Sequence, residues 1–267
     1  MPNIDRHSPG DFCWVELVTT DQPAAESFYG KIFGWSAENI PVAPNGVYTI
    51  YQLGGRHAAA ASTIRPEQLQ HGVPPHWGLY IAVRSADASA ARAAEMGGAV
   101  LAGPFDVGDA GRAAMVKDPD GAAFSVWQPN RNPGIGVAGE HGTLCWCDLN
   151  TPDQARAGQF YCDLFGWEIK KEDEDPAHNY WHIKNGEQYI GGIPPASHHR
   201  PGTPAYWLPY FNVSDCDVTA GEAKQLGATL FMPPTDFEDV GRVSVISDPQ
   251  GAVFAIFKAA GHRAAAS

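Results

Sequence analysis

Two carboxylates stand beside tryptophans at corresponding places in the two halves of the sequence. Glu16 follows Trp14 by two residues, and Asp148 follows Trp146 by two residues. Because side chains alternate between the faces of a β-strand, residues two apart share one face. An acid beside an indole on one face of a sheet can accept hydrogen bonds from a ligand or act as a general base. Glu16 and Asp148 are therefore the candidate catalytic residues.

A structural role for the two acids is an equally good hypothesis. An unpaired buried charge costs too much free energy, so each acid must be hydrogen-bonded, paired or solvated. Arg112 and Arg242 recur at corresponding places and are candidate partners. An ion pair with either arginine would make the acids structural, whereas an open cavity beside them would make them functional.

Aromatic side chains are predicted to line a cavity around each acid. The candidate ligand-binding residues are Trp14, Tyr51, His76, Tyr80 and Trp127 in the first half and Trp146, His182, Tyr206 and Tyr210 in the second. Further aromatic residues near these cavities are Tyr48, Tyr180 and Phe257. Such a set suits a flat, partly polar organic ligand, although core packing is the commoner role of any single aromatic residue.

The acids belong to a long internal repeat. Residues 28–35 (FYGKIFGW) recur as residues 160–167 (FYCDLFGW), and residues 118–122 (DPDGA) recur as residues 248–252 (DPQGA). The period of about 130 residues is far longer than that of solenoid repeats, so it indicates domain duplication. The predicted organisation is a first domain at residues 10–128, a linker at 129–141 and a second domain at 142–258.

Hydrophobic periodicity predicts the elements of each copy. Phe12–Thr19 alternates and is predicted to be a strand, and residues 21–33 carry apolar side chains at helical spacing before Gly34. An alanine-rich helix is predicted at residues 85–96. The further strands of the first copy are predicted at residues 47–53, 58–64, 77–83, 100–105, 113–117 and 122–127. Each copy is thus predicted to hold two βαβββ units, four in all, in an α+β chain. The acidic run at residues 172–175 predicts a solvated turn, and residues 259–267 a frayed end.

Composition limits the classes of partner. The formal net charge is −12, and an acidic surface repels phosphate backbones, so we expect no nucleic-acid binding. We expect no membrane partner, because no apolar run approaches spanning length. The absence of a signal-peptide pattern and the odd count of five cysteines favour reduced thiols in the cytoplasm. The expected partner is a small molecule, and a homodimer is left open.

The order of the motifs resembles the vicinal oxygen chelate superfamily. Both copies contain a strand, an aspartate, a helix ending in Phe-Tyr-x-x-x-Phe-Gly-Trp, and a late Asp-Pro-x-Gly before the last strand. This superfamily includes glyoxalase I, extradiol dioxygenases, fosfomycin-resistance proteins and bleomycin-binding proteins. The chain resembles in particular the two-domain glyoxalase-like proteins common in actinobacteria. The resemblance implies curved mixed sheets with helices on the convex side and a ligand cavity on the concave side, but one fold hosts many functions.

The resemblance also implies where metal ligands would lie. The corresponding positions are Trp14, Gly78 and Ser125 in the first copy and Trp146, Leu208 and Ala255 in the second. Zinc, iron and manganese sites need several His, carboxylate or thiolate groups together. We therefore expect no metal and no other cofactor. A metal site shifted by two residues, using Glu16, His76 or Asp148, is the less favoured alternative.

Three functions follow from these residues and this resemblance. The first is metal-independent binding of a small, aromatic or polyketide-like molecule in a sheet cavity, of the sequestration or resistance type. The second is a metal-independent isomerase, cyclase or lyase of secondary metabolism with Glu16 or Asp148 as general base. The weaker third is detoxification of glyoxal-type aldehydes.

Overall fold

Two eight-stranded mixed sheets, one from each copy, form the framework of the protein. The computed structural model describes residues 4–42, 46–171, 179–199 and 202–260. The acidic run at residues 172–175 lies outside the described residues, and so does most of the predicted frayed end.

Each domain contains the sequence of one strand, one helix and three strands two times. In the first domain the elements are β1 (Phe12–Thr19), α1 (Gln22–Phe33), β2 (Ser36–Val42), β3 (Gly46–Leu53), β4 (Arg56–Thr63), α2 (Pro66–Gln70), β5 (His76–Ala82), α3 (Ala86–Glu95), β6 (Ala99–Val107), β7 (Gly111–Lys117) and β8 (Ala123–Pro129). In the second domain they are β9 (Leu144–Asn150), α4 (Gln154–Phe165), β10 (Glu168–Lys171), β11 (Trp181–Asn185), β12 (Gln188–Ile193), β13 (Tyr206–Asn212), α5 (Cys216–Gln225), β14 (Thr229–Phe237), β15 (Gly241–Ser247) and β16 (Val253–Ala259).

The strand orders of the two sheets are equivalent. The first runs β2-β3-β4-β1-β5-β8-β7-β6 and the second β10-β11-β12-β9-β13-β16-β15-β14. In each sheet two βαβββ units meet where the opening strands pair antiparallel, β1 with β5 and β9 with β13. The predicted α+β fold of four βαβββ units in curved sheets is therefore confirmed.

The first helix of each domain is fixed at both ends by its sequence. The Asp21 carboxylate accepts a hydrogen bond from the Ala24 amide at 2.9 Å, which satisfies a free donor of the first turn of α1. Gly34 ends that helix with φ 71°, a left-handed conformation that costs glycine little. Asp153 and Gly166 cap α4 in the same way.

The domains pack against each other through these two helices. Tyr29 of α1 lies against Phe254 of β16, with ring centroids 5.6 Å apart, and donates its hydroxyl to Asp248 at 2.9 Å. In reciprocal fashion Tyr161 of α4 lies against Phe124 of β8 and donates to Asp118 at 3.1 Å. The helix-covered faces of both sheets thus share one hydrophobic core, which also includes Trp14 and Trp127 of the first domain.

The fold departs from the sequence-based prediction at an edge strand and in the linker. The edge strand β2, which pairs with β3, is missing from the predicted strands because it is almost wholly exposed and shows no alternation. The predicted linker is not a plain connection, since Ile135 and Val137 are buried. Its backbone also bonds the first sheet, from Ile135 to Cys13 at 2.7 Å.

The helices of the described ranges are short. None of the helices in residues 4–42, 46–171, 179–199 and 202–260 combines the length and the apolar character that a membrane crossing requires.

Candidate functional site

Glu16 lies on the concave face at the centre of the first sheet. In the antiparallel pairing of β1 with β5, Glu16 lies opposite Gly78 and Trp14 opposite Tyr80. The Val15 and Leu17 side chains point the other way, into the shared core, as strand alternation requires. Glu16 is buried, with 9% of its surface exposed.

Hydroxyl groups from three strands converge on Glu16. Tyr80 and Tyr48 donate to Oε2 at 2.8 and 3.3 Å, and Ser62 donates to Oε1 at 2.6 Å. The Trp14 indole N–H donates to the Tyr48 hydroxyl at 3.1 Å. A chain of donors thus runs from Trp14 through Tyr48 to the carboxylate. We call Trp14, Glu16, Tyr48, Ser62 and Tyr80 the Glu16 cluster.

The second sheet repeats this arrangement around Asp148. Tyr180 donates to Oδ1 at 2.5 Å, and Tyr210 donates to Oδ2 at 2.7 Å. The Trp146 indole N–H lies 3.0 Å from Oδ1 and 2.8 Å from the Tyr180 hydroxyl. We call Trp146, Asp148, Tyr180 and Tyr210 the Asp148 cluster. Aspartate is one methylene shorter than glutamate, and here the indole itself reaches the carboxylate.

Burial shifts the pKa of Asp148 and of the tyrosines in both clusters. It raises the pKa of Asp148 to about 6, because desolvation outweighs the hydrogen bonds from Tyr180, Tyr210 and Trp146. Burial and the adjacent carboxylates raise the pKa of Tyr80 and Tyr210 well above their usual range. These phenols therefore stay protonated near neutral pH and act as donors toward the acids.

Each carboxylate keeps capacity to bind a ligand. A carboxylate offers about four acceptor positions on its two oxygens, and the described residues supply three donors to each acid. A hydroxyl or amine of a ligand on the concave face can use the remaining position. Such a bond to an ionised acceptor is shorter and stronger than one between neutral groups.

The hypothesis that arginines pair with these acids is wrong. Arg112 binds Asp87 and Asp106 at 2.7 and 2.9 Å, and Arg242 binds Asp217 at 2.6 Å. The aspartates at positions 87 and 217 belong to the helices α3 and α5. Both arginines thus serve the helix-covered side of the sheets, where they cannot reach the concave face.

Two further predicted residues of the first domain, Trp127 and His76, lie on strands near Tyr80. The Trp127 ring lies 6.5 Å from the Tyr80 ring, and its indole N–H donates to Asn132 of the linker at 3.0 Å. His76 shares its face with Gly78 and Tyr80 by strand alternation. Its ring nitrogen Nδ1 lies 2.8 Å from the carbonyl of Pro74.

Tyr51 requires a correction. It is 1% exposed and stacks on Trp35, with ring centroids 5.1 Å apart, within the helix-covered core. Tyr48 and Tyr51 lie three positions apart, so a regular strand directs their side chains to opposite faces. The structure directs Tyr48 to the concave face and Tyr51 to the helix-covered core.

The predicted residues of the second domain surround Asp148 at different depths. The His182 ring lies 6.0 Å from the Trp146 ring and 5.0 Å from the Tyr180 ring. Tyr206, at the beginning of β13, is 44% exposed and forms the rim. Tyr210 and Trp146 lie directly at the carboxylate.

Sequence reasoning missed Ser62. It contacts Glu16 only because β4 pairs in parallel with β1, which sets Ser62 opposite Val18 on the concave face. Pairing between strands more than forty residues apart leaves no local signal in the sequence. Tyr48 and Tyr180 carry a signal, since both follow the Trp-x-acid strand at corresponding distances, 34 residues after Trp14 and Trp146.

The side chains present do not fit a metal site of the kind implied by the resemblance. Within the described parts of the chain, no three His, Cys, Asp or Glu residues come together. Gly78 and Ser125 lie beside Glu16 and Tyr80 in the sheet register, where the resemblance implies ligands. Each cluster contains a single carboxylate, and the groups around it are neutral hydroxyl and indole hydrogen-bond donors. One carboxylate surrounded by donors is not a set of ligands that could hold a metal cation.

Comparison with known proteins adds to this geometry. The family model described as Glyoxalase/Bleomycin resistance protein/Dioxygenase superfamily matches residues 12–126 and 143–256. A putative glyoxylase, CFP32, of Mycobacterium bovis is 40% identical over 97% of this chain and 99% of that protein. The anthracycline biosynthesis protein DauV of a Streptomyces species (strain C5) is 33% identical over 95% of this chain and 94% of its own.

Solved structures show the same fold at low sequence identity. The Mn(II)-bound glyoxalase from Novosphingobium aromaticivorans superposes with a TM-score of 0.64 at 16% identity, over 94% of this chain and 82% of that one. The 2,3-dioxygenase LapB from Pseudomonas sp. KL28 gives a TM-score of 0.65 at 11% identity, over 97% and 95% of the two chains.

Proposed function

The chain belongs to the glyoxalase/bleomycin resistance protein/dioxygenase superfamily, and from that premise we propose that it binds a planar, hydroxylated organic molecule on a concave sheet face without a metal. The repeated tyrosine-bound carboxylate carries this proposal. Glu16 and Asp148 each accept hydrogen bonds from two tyrosine hydroxyls. Each acid presents a fixed acceptor beside aromatic rings, a combination that orients a flat polar ligand.

A relative that matches this chain over nearly its whole length supports the proposed class of ligand. DauV is described as an anthracycline biosynthesis protein, and this chain covers 94% of it. An anthracycline nucleus is planar, aromatic and hydroxylated, which are the properties that stacking rings and a carboxylate acceptor recognise. We therefore propose that the protein binds a polyketide-like molecule, either to sequester it or to transfer it to another protein.

A second function is favoured by one observation. The pKa of Asp148 is raised by burial to about 6, which brings it toward the neutral range in which a general base is most effective. An isomerase, cyclase or lyase would use Asp148, or Glu16 in the first domain, to take a proton from a carbon acid. Glyoxal-type detoxification gains no such support, because the donor set does not fit a metal.

Recovery of the ligand separates binding from catalysis. Purified protein is incubated with quinizarin, a dihydroxyanthraquinone, and with an anthracycline precursor, and the small molecules are then extracted for mass spectrometry. The binding function predicts saturable association and return of both compounds unchanged. Conversion of either compound, lost in Glu16→Gln or Asp148→Asn, would establish the enzymatic alternative.

A further inference from the structure

The two concave faces differ in the side chains that fill them. In the first sheet Gly78 lies opposite Glu16, and in the second Leu208 lies opposite Asp148. One strand further, Ser125 pairs with Tyr80 where Ala255 pairs with Tyr210. The repeat thus offers an internal comparison, in which corresponding positions carry different volumes and polarities.

The second domain fills its concave face with its own apolar side chains. Leu208, Val243 and Ala255 are at most 7% exposed and form a hydrophobic cluster separate from the main core. Partly buried neighbours pack against them, and these are Tyr210, Met232, Val245, Val253 and Phe257. A ligand entering beside Asp148 would have to displace this cluster, which close packing resists.

The first domain has smaller or more polar side chains at the equivalent positions, and the backbone of Gly78 has free space beside it. A Cβ built on Gly78 would have, among the described residues, a single heavy atom within 4 Å, the backbone oxygen of Glu16 at 3.7 Å. Ala113 stands where the second domain has Val243, since they pair with Trp127 and Phe257 respectively.

The base of this opening carries polar groups. Ser125 brings a hydroxyl side chain beside Tyr80 in the sheet register, and the Tyr80 hydroxyl in turn donates to Glu16. Ala255, which pairs with Tyr210 at the corresponding place, carries no polar side-chain group. The space beside Gly78 and the Ser125 hydroxyl therefore occur together in the first domain, whereas Leu208 and Ala255 supply neither at the equivalent point of the second.

We propose that the concave face of the first domain, between Glu16, Gly78, Tyr80 and Ser125, is the ligand site of this protein. The Asp148 face of the second domain is filled and structural. This inference rests on the proposed binding function and assigns it to one of two equivalent faces. The ligand places its ring over Gly78, and a ring hydroxyl donates to Glu16.

Substitutions at positions 78 and 208 test whether the ligand binds to the first domain. Equilibrium dialysis measures quinizarin binding to the full-length wild type, Gly78→Leu and Leu208→Ala, and thermal melts confirm that each variant is folded. The wild type should bind one equivalent per chain. Gly78→Leu should bind roughly tenfold more weakly or worse, because its side chain occupies the space that the ring requires. Leu208→Ala should keep the wild-type affinity at the first site.

A graded variant keeps the test valid if leucine disturbs the fold. Gly78→Ala adds one methyl group into open space, so affinity should fall in the order glycine, alanine, leucine. Two equivalents in the wild type, unchanged affinity in Gly78→Leu and Gly78→Ala, or loss of binding in Leu208→Ala would overturn the assignment while leaving the binding function intact. A wild type that binds no quinizarin would instead contradict the proposed function, and the assignment with it.

Discussion

Tyr80 donates its hydroxyl to the Glu16 carboxylate at 2.8 Å, from the strand that pairs with the opening strand of the first domain. Tyr210 and Asp148 repeat this contact at 2.7 Å in the second domain. A tyrosine donor at equivalent places in two copies fixes the acids without an opposite charge. Both carboxylates are therefore held in place, and Glu16 keeps an acceptor position for one more hydrogen bond.

Removal of the Tyr80 hydroxyl should lower the stability of the protein, because the Glu16 carboxylate loses a hydrogen-bond donor. We predict that Tyr80→Phe lowers the free energy of unfolding by about 1.5–3 kcal/mol, the range for hydrogen bonds to charged groups. Urea denaturation provides the measurement. Tyr189→Phe, at a tyrosine that is 56% exposed, is the control and should change stability by less than about 0.5 kcal/mol.

A double-mutant cycle with Glu16→Gln refines this prediction. Because Tyr80 and Glu16 contact each other directly, their effects should be non-additive by about 0.5 kcal/mol or more. Additive losses would show that Tyr80 stabilises the sheet by packing alone and that its contact with Glu16 carries no free energy.

The raised pKa of Asp148 predicts a pH dependence of stability. The folded pKa is about 6, above the value of 3.8 expected without the protein environment. Between these values the folded protein holds a proton that the unfolded chain has lost, so the free energy of unfolding falls as pH rises. Relative to Asp148→Asn, the wild type should lose on the order of 2–3 kcal/mol between about pH 4 and pH 7. Parallel stability curves for the two proteins would contradict the raised pKa.

The reciprocal domain contact predicts that the two halves unfold together. Tyr29→Phe removes the donor to Asp248 and the acceptor of the Trp77 indole N–H. Two buried groups lose a partner, so we expect a loss of about 2–4 kcal/mol. Tyr161→Phe breaks the equivalent contact with Asp118 and should have a similar cost. Calorimetry should show one transition in all three proteins. Two separate transitions in the wild type would contradict the shared core.

The side chains at the implied ligand positions predict that metal ions do not affect the stability of the protein. Trp14, Gly78 and Ser125 offer no ligand set at the positions that the resemblance implies, so metal should not be linked to folding. We expect the melting temperature to be unchanged by EDTA, and protein purified without added metal to carry no stoichiometric zinc, nickel, iron or manganese. Stoichiometric metal by elemental analysis, together with a chelator-induced drop in melting temperature, would contradict this.

The sequence predicts the framework of this protein better than its site. The repeated helix-end pattern and strand alternation suffice for four βαβββ units, because they are local and periodic. The edge strand β2 escapes that reasoning, since an exposed strand needs no alternation. Trp14 and Glu16 share a face for a local reason, but the Ser62 contact depends on pairing between distant strands.

Aromatic residues show the same limit. Tyr48 and Tyr51 have the same side chain and lie in the same strand, yet one binds Glu16 and the other packs on Trp35. Which of the two faces the cavity depends on the register of β3 with β4, which contains an irregularity after Tyr51. Composition alone cannot decide it.

The central claim is that Glu16 accepts a hydrogen bond from a hydroxyl group of a planar ligand. The most direct test compares the affinities of quinizarin and of anthraquinone, which lacks the hydroxyls, for the wild type and for Glu16→Gln by titration calorimetry. We predict that the wild type prefers quinizarin by roughly tenfold or more, equivalent to about 1.4 kcal/mol, and that Glu16→Gln loses most of this preference because a neutral amide is the weaker acceptor. An equal preference in both proteins would contradict the claim.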